Sequence, residues 1–207
     1  MITLFTAPTG NGHRASIMLE EVGLPYEARR VNFTEGEHLK PEFLAINPAG
    51  KIPAIIDPDA PGGPLAVAET LAIAVYLAEK TGKLIPTDLA GRSRALQWGA
   101  ALVSGPSAVY TSMFFARQLG EEQHAPYMDK CRADITRFFT AMDKTLGESR
   151  YLAGDSYSYA DVLAITLVIG TATVFNTDLT GFANVARWRD EVAARPAVIA
   201  GRLVPAA

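Results

Sequence analysis

The sequence predicts an α/β unit over residues 1–82 followed by an all-α unit over residues 91–207, with a linker at 83–90. Two observations predict this division. Up to Gly82, short apolar runs of strand character alternate with segments whose apolar residues recur every three to four positions. Beyond Gly82 the helical period persists nearly throughout, broken only by prolines and glycines. A third feature, Asn47-Pro-Ala-Gly-Lys-Ile-Pro-Ala-Ile55, is a turn running straight into a strand through a proline.

Ile2–Thr6 reads as a strand, and Gly12–Val22 as a helix with Ala15, Met18, Leu19 and Val22 on one face. Gly23-Leu24-Pro25 stops that helix and Tyr26–Asn32 resumes as a strand. Pro41–Ile46 suits a short helix. Ala54–Ile56 and Leu65–Val67 are brief strands around a loop, and Glu69–Thr81 is a full helix closed by Gly82. The order βαβ–α–ββα implies a small mixed sheet with helices packed on it.

In the second part, Leu89–Leu119 supports one long helix with a possible break at Gly105-Pro106. Over Pro126–Leu146, Cys131, Ile135, Phe138, Phe139, Met142 and Leu146 share a face. Ser158-Tyr-Ala-Asp161 has the form of a capping box, with Asp in the place of Glu or Gln. The helix that it opens is apolar all round, the mark of a central core helix. Val185–Ala194 and Ala197–Leu203, separated by Pro196, complete the helical set.

Composition narrows the function. Nineteen basic against 22 acidic residues give a net charge of −3, with no electrostatic footprint for nucleic acid. No basic run flanks an amphipathic segment, and the most apolar stretch, Val162–Phe175, is shorter than the ~20 residues that cross a bilayer, so no membrane role is expected. Cys131 is the sole cysteine, which excludes an intrachain disulfide and any Cys-x-x-Cys chemistry. The expected compartment is the cytoplasm.

Three places carry candidate chemistry. Pro53 belongs at an edge, a strand start or a bulge. The Ile52–Pro53 bond is one of the few places where a cis peptide is affordable. In that form it would leave the main-chain N–H and C=O of Ile52 to pair with an extended, peptide-like ligand, a plain tight turn being the alternative reading. Glu69-Thr70 opens a helix, where free N–H groups and the positive dipole end favour an anion, although simple capping is the alternative reading. Thr9-Gly-Asn11-Gly opens the first helix in the same way, and there too Asn11 can be a plain N-cap. His13 and Arg14 are expected at the helix surface, and Cys131 as an inert core residue.

Taken together, Asn47-Pro48-x-Gly50-Lys51-Ile52-Pro53, Glu69-Thr70 and Ser158-Tyr-Ala-Asp161 resemble the glutathione transferase family over essentially the whole chain. Phe5–Arg14 and Pro41-Glu-Phe-Leu44 are similar to the bacterial nu class and its fungal disulfide-reductase relatives. The resemblance implies a thioredoxin-like amino-terminal domain, an all-helical glutathione transferase carboxy-terminal domain, and a homodimer. It implies glutathione as cosubstrate and no metal. Ile52, beside Pro53, would hold the cysteinyl unit; Glu69 and Thr70 the γ-glutamyl end; Lys51 and His38 the glycyl carboxylate.

Thr9 and Asn11, with the N–H groups of Gly12 and His13, would stabilise the thiolate. The loop contains no Tyr or Cys, so the nucleophile arrives with the cosubstrate. Thr70 stands where most relatives carry Ser. Ser107, Tyr110 and Phe114 are candidates for an acceptor pocket. Gly99–Phe115 departs from the nu-class sequence, lacking its glycine- and glutamine-bearing pattern. Disulfide reduction and glutathione transfer to a small apolar electrophile therefore both remain open, as does a non-catalytic module that binds apolar ligands or partners.

Overall fold

A computed structural model describes residues 1–206, and the side chains of all of these except Glu121. The chain forms two compact units. One comprises Met1–Ile85 with the segment from Ala193 onward, the other Pro86–Val192.

In the first unit a four-stranded sheet has the order β2-β1-β3-β4, from β1 (Ile2–Thr6), β2 (Tyr26–Arg30), β3 (Ala54–Asp57) and β4 (Leu65–Ala68). β1 pairs with β2 in parallel and with β3 antiparallel, and β3 pairs antiparallel with β4. The central strands are the buried ones: Leu4, Ala54 and Ile55 are wholly buried. β2, an edge strand, carries Glu27, Arg29 and Arg30 toward solvent, charge that discourages edge-to-edge pairing.

The helix α1 (Gly10–Val22) starts two residues earlier than its apolar face predicts, because Thr9 is the N-cap and its hydroxyl accepts from the Gly12 N–H at 3.1 Å. It ends at Gly23, whose left-handed φ of 74° lets its N–H return to Leu19 and Glu20. Lys83 Nζ donates to the Val22 carbonyl at 2.7 Å, satisfying a further helix-end acceptor. The short α2 (Pro41–Leu44) and α3 (Thr70–Thr81) complete the αβ part, α3 closing at Gly82 with φ 66°.

The boundary drawn at 91–207 differs from the compact units at the carboxy terminus. The helix α9 (Pro196–Gly201) packs on α1. Ser16 Oγ donates to the Gly201 carbonyl at 2.6 Å, and a Cβ on Gly201 would lie 2.6 Å from the Ile17 backbone. The Arg195 guanidinium grips Glu21 with two hydrogen bonds of 2.6 and 2.8 Å. A small residue and a bidentate ion pair thus seat the segment in the first unit.

The second unit contains α4 (Leu89–Ser104), α5 (Pro106–Gly120), α6 (Ala125–Glu148), α7 (Tyr159–Val174) and most of α8 (Ala183–Ala193). The predicted break at Gly105-Pro106 is present. Gly105 adopts φ −116° and ψ −93°, outside the helical region, and the next helix begins at Pro106. The helix α7 is the buried one, with Val162, Leu163, Ile165 and Val168 inaccessible. Its cap is the Ser158–Asp161 box. Asp161 is fully buried and accepts from Leu152 N (3.0 Å), Ser158 N (3.0 Å), Ser158 Oγ (3.1 Å) and Trp188 Nε1 (2.9 Å). Burial pushes its carboxyl above the usual carboxylate range, and these donors pull against that shift.

Candidate active site at one end of the sheet

The sheet register decides which residues can act together. Phe5 pairs with Ala54, and Ala54 with Ala68. With both pairings antiparallel, β1 and β4 run the same way. Their carboxyl ends therefore lie beside the amino end of β3. The Thr9 loop follows β1, Ile52-Pro53 precedes β3, and Glu69-Thr70 follows β4. Two helix amino termini, those of α1 and α3, consequently open at the same end, and each carries about half a positive charge from its aligned peptide dipoles.

The Ile52–Pro53 bond is cis, and Pro53 is buried while Ile52 is half-buried. Neither the N–H nor the C=O of Ile52 has a hydrogen-bond partner among the described residues. Asn47 builds the turn before it. It is 6% exposed, donates from Nδ2 to the Lys51 carbonyl at 2.7 Å and accepts from Ala49 N at 3.1 Å. Gly50 adopts a left-handed φ of 62°, which favours glycine, and a Cβ there would fall 3.1 Å from the His38 carbonyl. That close approach brings the 3₁₀ turn Glu37–Leu39 against the Asn47 turn. His38 lies against the Phe33 ring, with centroids 4.7 Å apart, and its Nδ1 is buried without a hydrogen-bond partner. The Lys51 side chain is exposed.

At the second helix start, Glu69 is exposed and held at φ 72° and ψ 129°, a conformation that costs a non-glycine residue about 1–3 kcal/mol. Thr70 is 8% exposed, and its hydroxyl is unpaired among the described residues. The Thr70 and Leu71 N–H groups are free in the same sense; the Glu69 carbonyl already accepts from Ile73.

At the first helix start the expected donors change. The Gly12 N–H is taken by Thr9 Oγ1, and the His13 N–H donates to the Thr9 carbonyl at 2.9 Å. The unpaired N–H groups among the described residues are those of Gly10 and Asn11, one turn earlier. The Thr9 hydroxyl, accepting from Gly12, keeps its own proton to donate. Gly12 is obligatory for sterics: a Cβ there would sit 2.1 Å from the Ala7 carbonyl oxygen and 2.5 Å from Thr6 Oγ1.

The flanking pair also departs from expectation. His13 is half-buried, and burial, followed by the Arg202 charge, lowers its pKa and keeps it neutral near pH 7. Arg14 is not a surface residue: it is 3% exposed, and its guanidinium donates to Asn11 Oδ1 at 2.7 Å. The readable signal was the i,i+3 spacing of an amide and a cation on one helix. The Glu69 conformation had no such signal, because nothing in a Glu-Thr dipeptide announces a positive φ.

Ser107, Tyr110 and Phe114 all lie on α5 in the second unit. Tyr110 packs edge-on against Phe175 at 5.2 Å and against Gly170, and burial raises its pKa. Phe114 is 41% exposed and contacts Phe115. A separate hollow of about 450 Å³, lined by Leu19, Glu20, Gly23, Leu24, Pro25 and Tyr26, sits at the far end of α1. Among the described residues no cluster of three or more His, Cys, Asp or Glu suits a metal, and no helix is long and apolar enough to cross a membrane.

A small mixed sheet with two helix amino termini opening at one end, followed by a helical unit, defines a thioredoxin-like domain joined to an all-helical one. The chain belongs to the glutathione transferase family. The family models for the glutathione S-transferase N-terminal and C-terminal domains match residues 11–80 and 95–196. It is similar to the disulfide-bond oxidoreductase YfcG of Escherichia coli strain K12, at 35% identity over 95% of this chain and 92% of that one. Among solved structures, a Burkholderia graminis glutathione transferase with two glutathione molecules bound per subunit superposes with a TM-score of 0.94, at 39% identity over 99% of this chain and 88% of that one. A Pseudomonas putida glutathione transferase with one glutathione disulfide bound per subunit gives a TM-score of 0.91, at 35% identity over 99% and 91%.

Proposed function

We propose that the protein is a glutathione-dependent thiol–disulfide oxidoreductase in which bound glutathione supplies the attacking thiolate. The observation that carries this reading is the placement of Thr9, Asn11, Ile52 and Thr70 at one end of the sheet, with no cysteine in the first loop. The open N–H and C=O of Ile52 pair with the cysteinyl unit as an added strand. The Thr70 hydroxyl and the free N–H groups of α3 take the γ-glutamyl carboxylate, and Glu69 faces the ammonium. Lys51 and His38 meet the glycyl carboxylate.

The chemistry requires ionisation. A thiol of pKa ~8.5 is only about 3% thiolate at pH 7, whereas one of ~6.5 is about three-quarters ionised, a difference of ~2.7 kcal/mol. The Thr9 hydroxyl, the Asn11 amide and a free N–H at a helix start supply donors of that combined magnitude. The thiolate attacks one sulfur of a disulfide, forming a mixed disulfide with glutathione and releasing the other sulfur as thiolate. A second glutathione thiolate then attacks the glutathionyl sulfur, giving glutathione disulfide and the second free thiol. The two glutathione molecules of the Burkholderia relative and the glutathione disulfide of the Pseudomonas one support this reaction over conjugation.

The test is retention on immobilised glutathione followed by two assays, reduction of a glutathione mixed disulfide and conjugation of a chlorinated aromatic electrophile. Retention with faster mixed-disulfide reduction is the expected result. Conjugation alone would make the protein a transferase toward apolar electrophiles. Retention without turnover in either would make it a binding module, and no retention would remove the glutathione reading.

A further inference from the structure

We propose that Arg14 is a positioning residue that fixes which face of the Asn11 amide meets the bound sulfur. The inference rests on the thiolate reading above and adds to it a residue buried beneath the loop. Its warrant is the chemistry of the contact. A guanidinium has only donors, so the Asn11 atom facing Arg14 at 2.7 Å must be the amide oxygen. The NH₂ group is then the other branch of the amide, on a side chain exposed at the start of α1, where the Gly10 and Asn11 N–H groups are also free.

Without that contact the Asn11 side chain is an exposed amide free to rotate. Flipped, it would present a carbonyl oxygen to an anionic sulfur, replacing a donor with a lone pair and raising the thiol pKa. Arg14 cannot itself meet the cosubstrate's carboxylates, being 3% exposed. Burial lowers its pKa to about 10, which still leaves it fully protonated near neutrality, so the contact persists across the working pH range. A buried cation beneath the sulfur site also favours the anion, and the same experiment separates this direct action from positioning.

The experiment follows the ultraviolet absorbance of the glutathione thiolate in the complex against pH, for the wild type, Arg14→Met, Arg14→Lys, Asn11→Ala and the Asn11→Ala/Arg14→Met double variant. Affinity for S-methylglutathione, which has no ionisable thiol, is measured in parallel. Arg14→Met is expected to raise the bound thiol pKa by about one unit, a tenfold loss of thiolate at low pH, with S-methylglutathione affinity changed less than about twofold. Arg14→Lys, which keeps a donor for Oδ1, should recover part of the shift.

In the Asn11→Ala background, Arg14→Met should add little, because its effect passes through Asn11. An additive shift in the double variant would overturn positioning in favour of direct charge. An unchanged thiol pKa in Arg14→Met, or a loss of S-methylglutathione binding as large as the loss of thiolate, would overturn it altogether. If Asn11→Ala leaves the thiol pKa unmoved, Asn11 is not a donor to the sulfur and the inference falls, while the thiolate reading then rests on the Thr9 hydroxyl and the free N–H groups.

Discussion

At the residue scale, the first helix start and the Glu69 position make separable predictions. Asn11→Ala removes one directed donor and should lower kcat about tenfold or more, with a modest effect on glutathione affinity, read by steady-state disulfide reduction. Thr70→Val removes a hydroxyl from the γ-glutamyl end. It should weaken glutathione binding roughly tenfold by calorimetry while leaving kcat at saturation nearly unchanged. Glu69→Gly should leave the thermal midpoint unchanged or higher, since glycine adopts φ 72° without penalty, yet lose glutathione affinity. A variant that loses both stability and binding would show that the conformation is held by the fold rather than for the ligand. The places of Thr9, Asn11, Ile52 and Thr70 at two helix starts and a strand entry were legible because a turn, a proline and two cap sequences mark them. Arg14's burial was not, because a charged residue at the helix start reads as solvated until the packing around it is known.

At the element scale, α1 and α7 depend on their ends. For α1, Gly12 admits the backbone against Ala7, and Gly12→Ala must displace the Thr9 loop to relieve a 2.1 Å contact. That substitution should abolish retention on glutathione even where the chain remains folded by circular dichroism. For α7, the Asp161 carboxylate accepts from four donors contributed by Leu152, Ser158 and Trp188. Asp161→Asn turns an amide NH₂ toward at least one N–H that can only donate, whichever way the amide is placed. It should cost about 3 kcal/mol or more in urea unfolding, with little change in the chemistry of the bound thiol. This capping box was readable from Ser158-Tyr-Ala-Asp161. The break between α4 and α5 was readable only as a possibility, since proline fits equally well at the start of a new helix and at a kink.

At the scale of the whole molecule, the alternation of strand and helix patterns revealed the α/β part and the helical part. The return of the carboxy terminus did not show, because Pro196–Gly201 has the same helical period as its predecessors. Its place depends on Gly201 meeting the Ile17 backbone and on Arg195 pairing with Glu21 across 174 residues of sequence. Acid stability is set in part by Asp57, which is 1% exposed at the end of β3. Burial alone would raise its pKa, but Lys80, the Tyr76 hydroxyl and the Asp59 N–H together hold it below the usual value. Its contribution is thus fully present above the unfolded carboxyl pKa and is lost as pH falls through the lower folded value. Lys80→Met should move acid unfolding to higher pH. The central claim is tested most directly by titrating glutathione in the wild-type complex and reading thiolate absorbance against pH. The account predicts an apparent pKa near ~6.5, about two units below the free thiol; a bound thiol that titrates like free glutathione would contradict it.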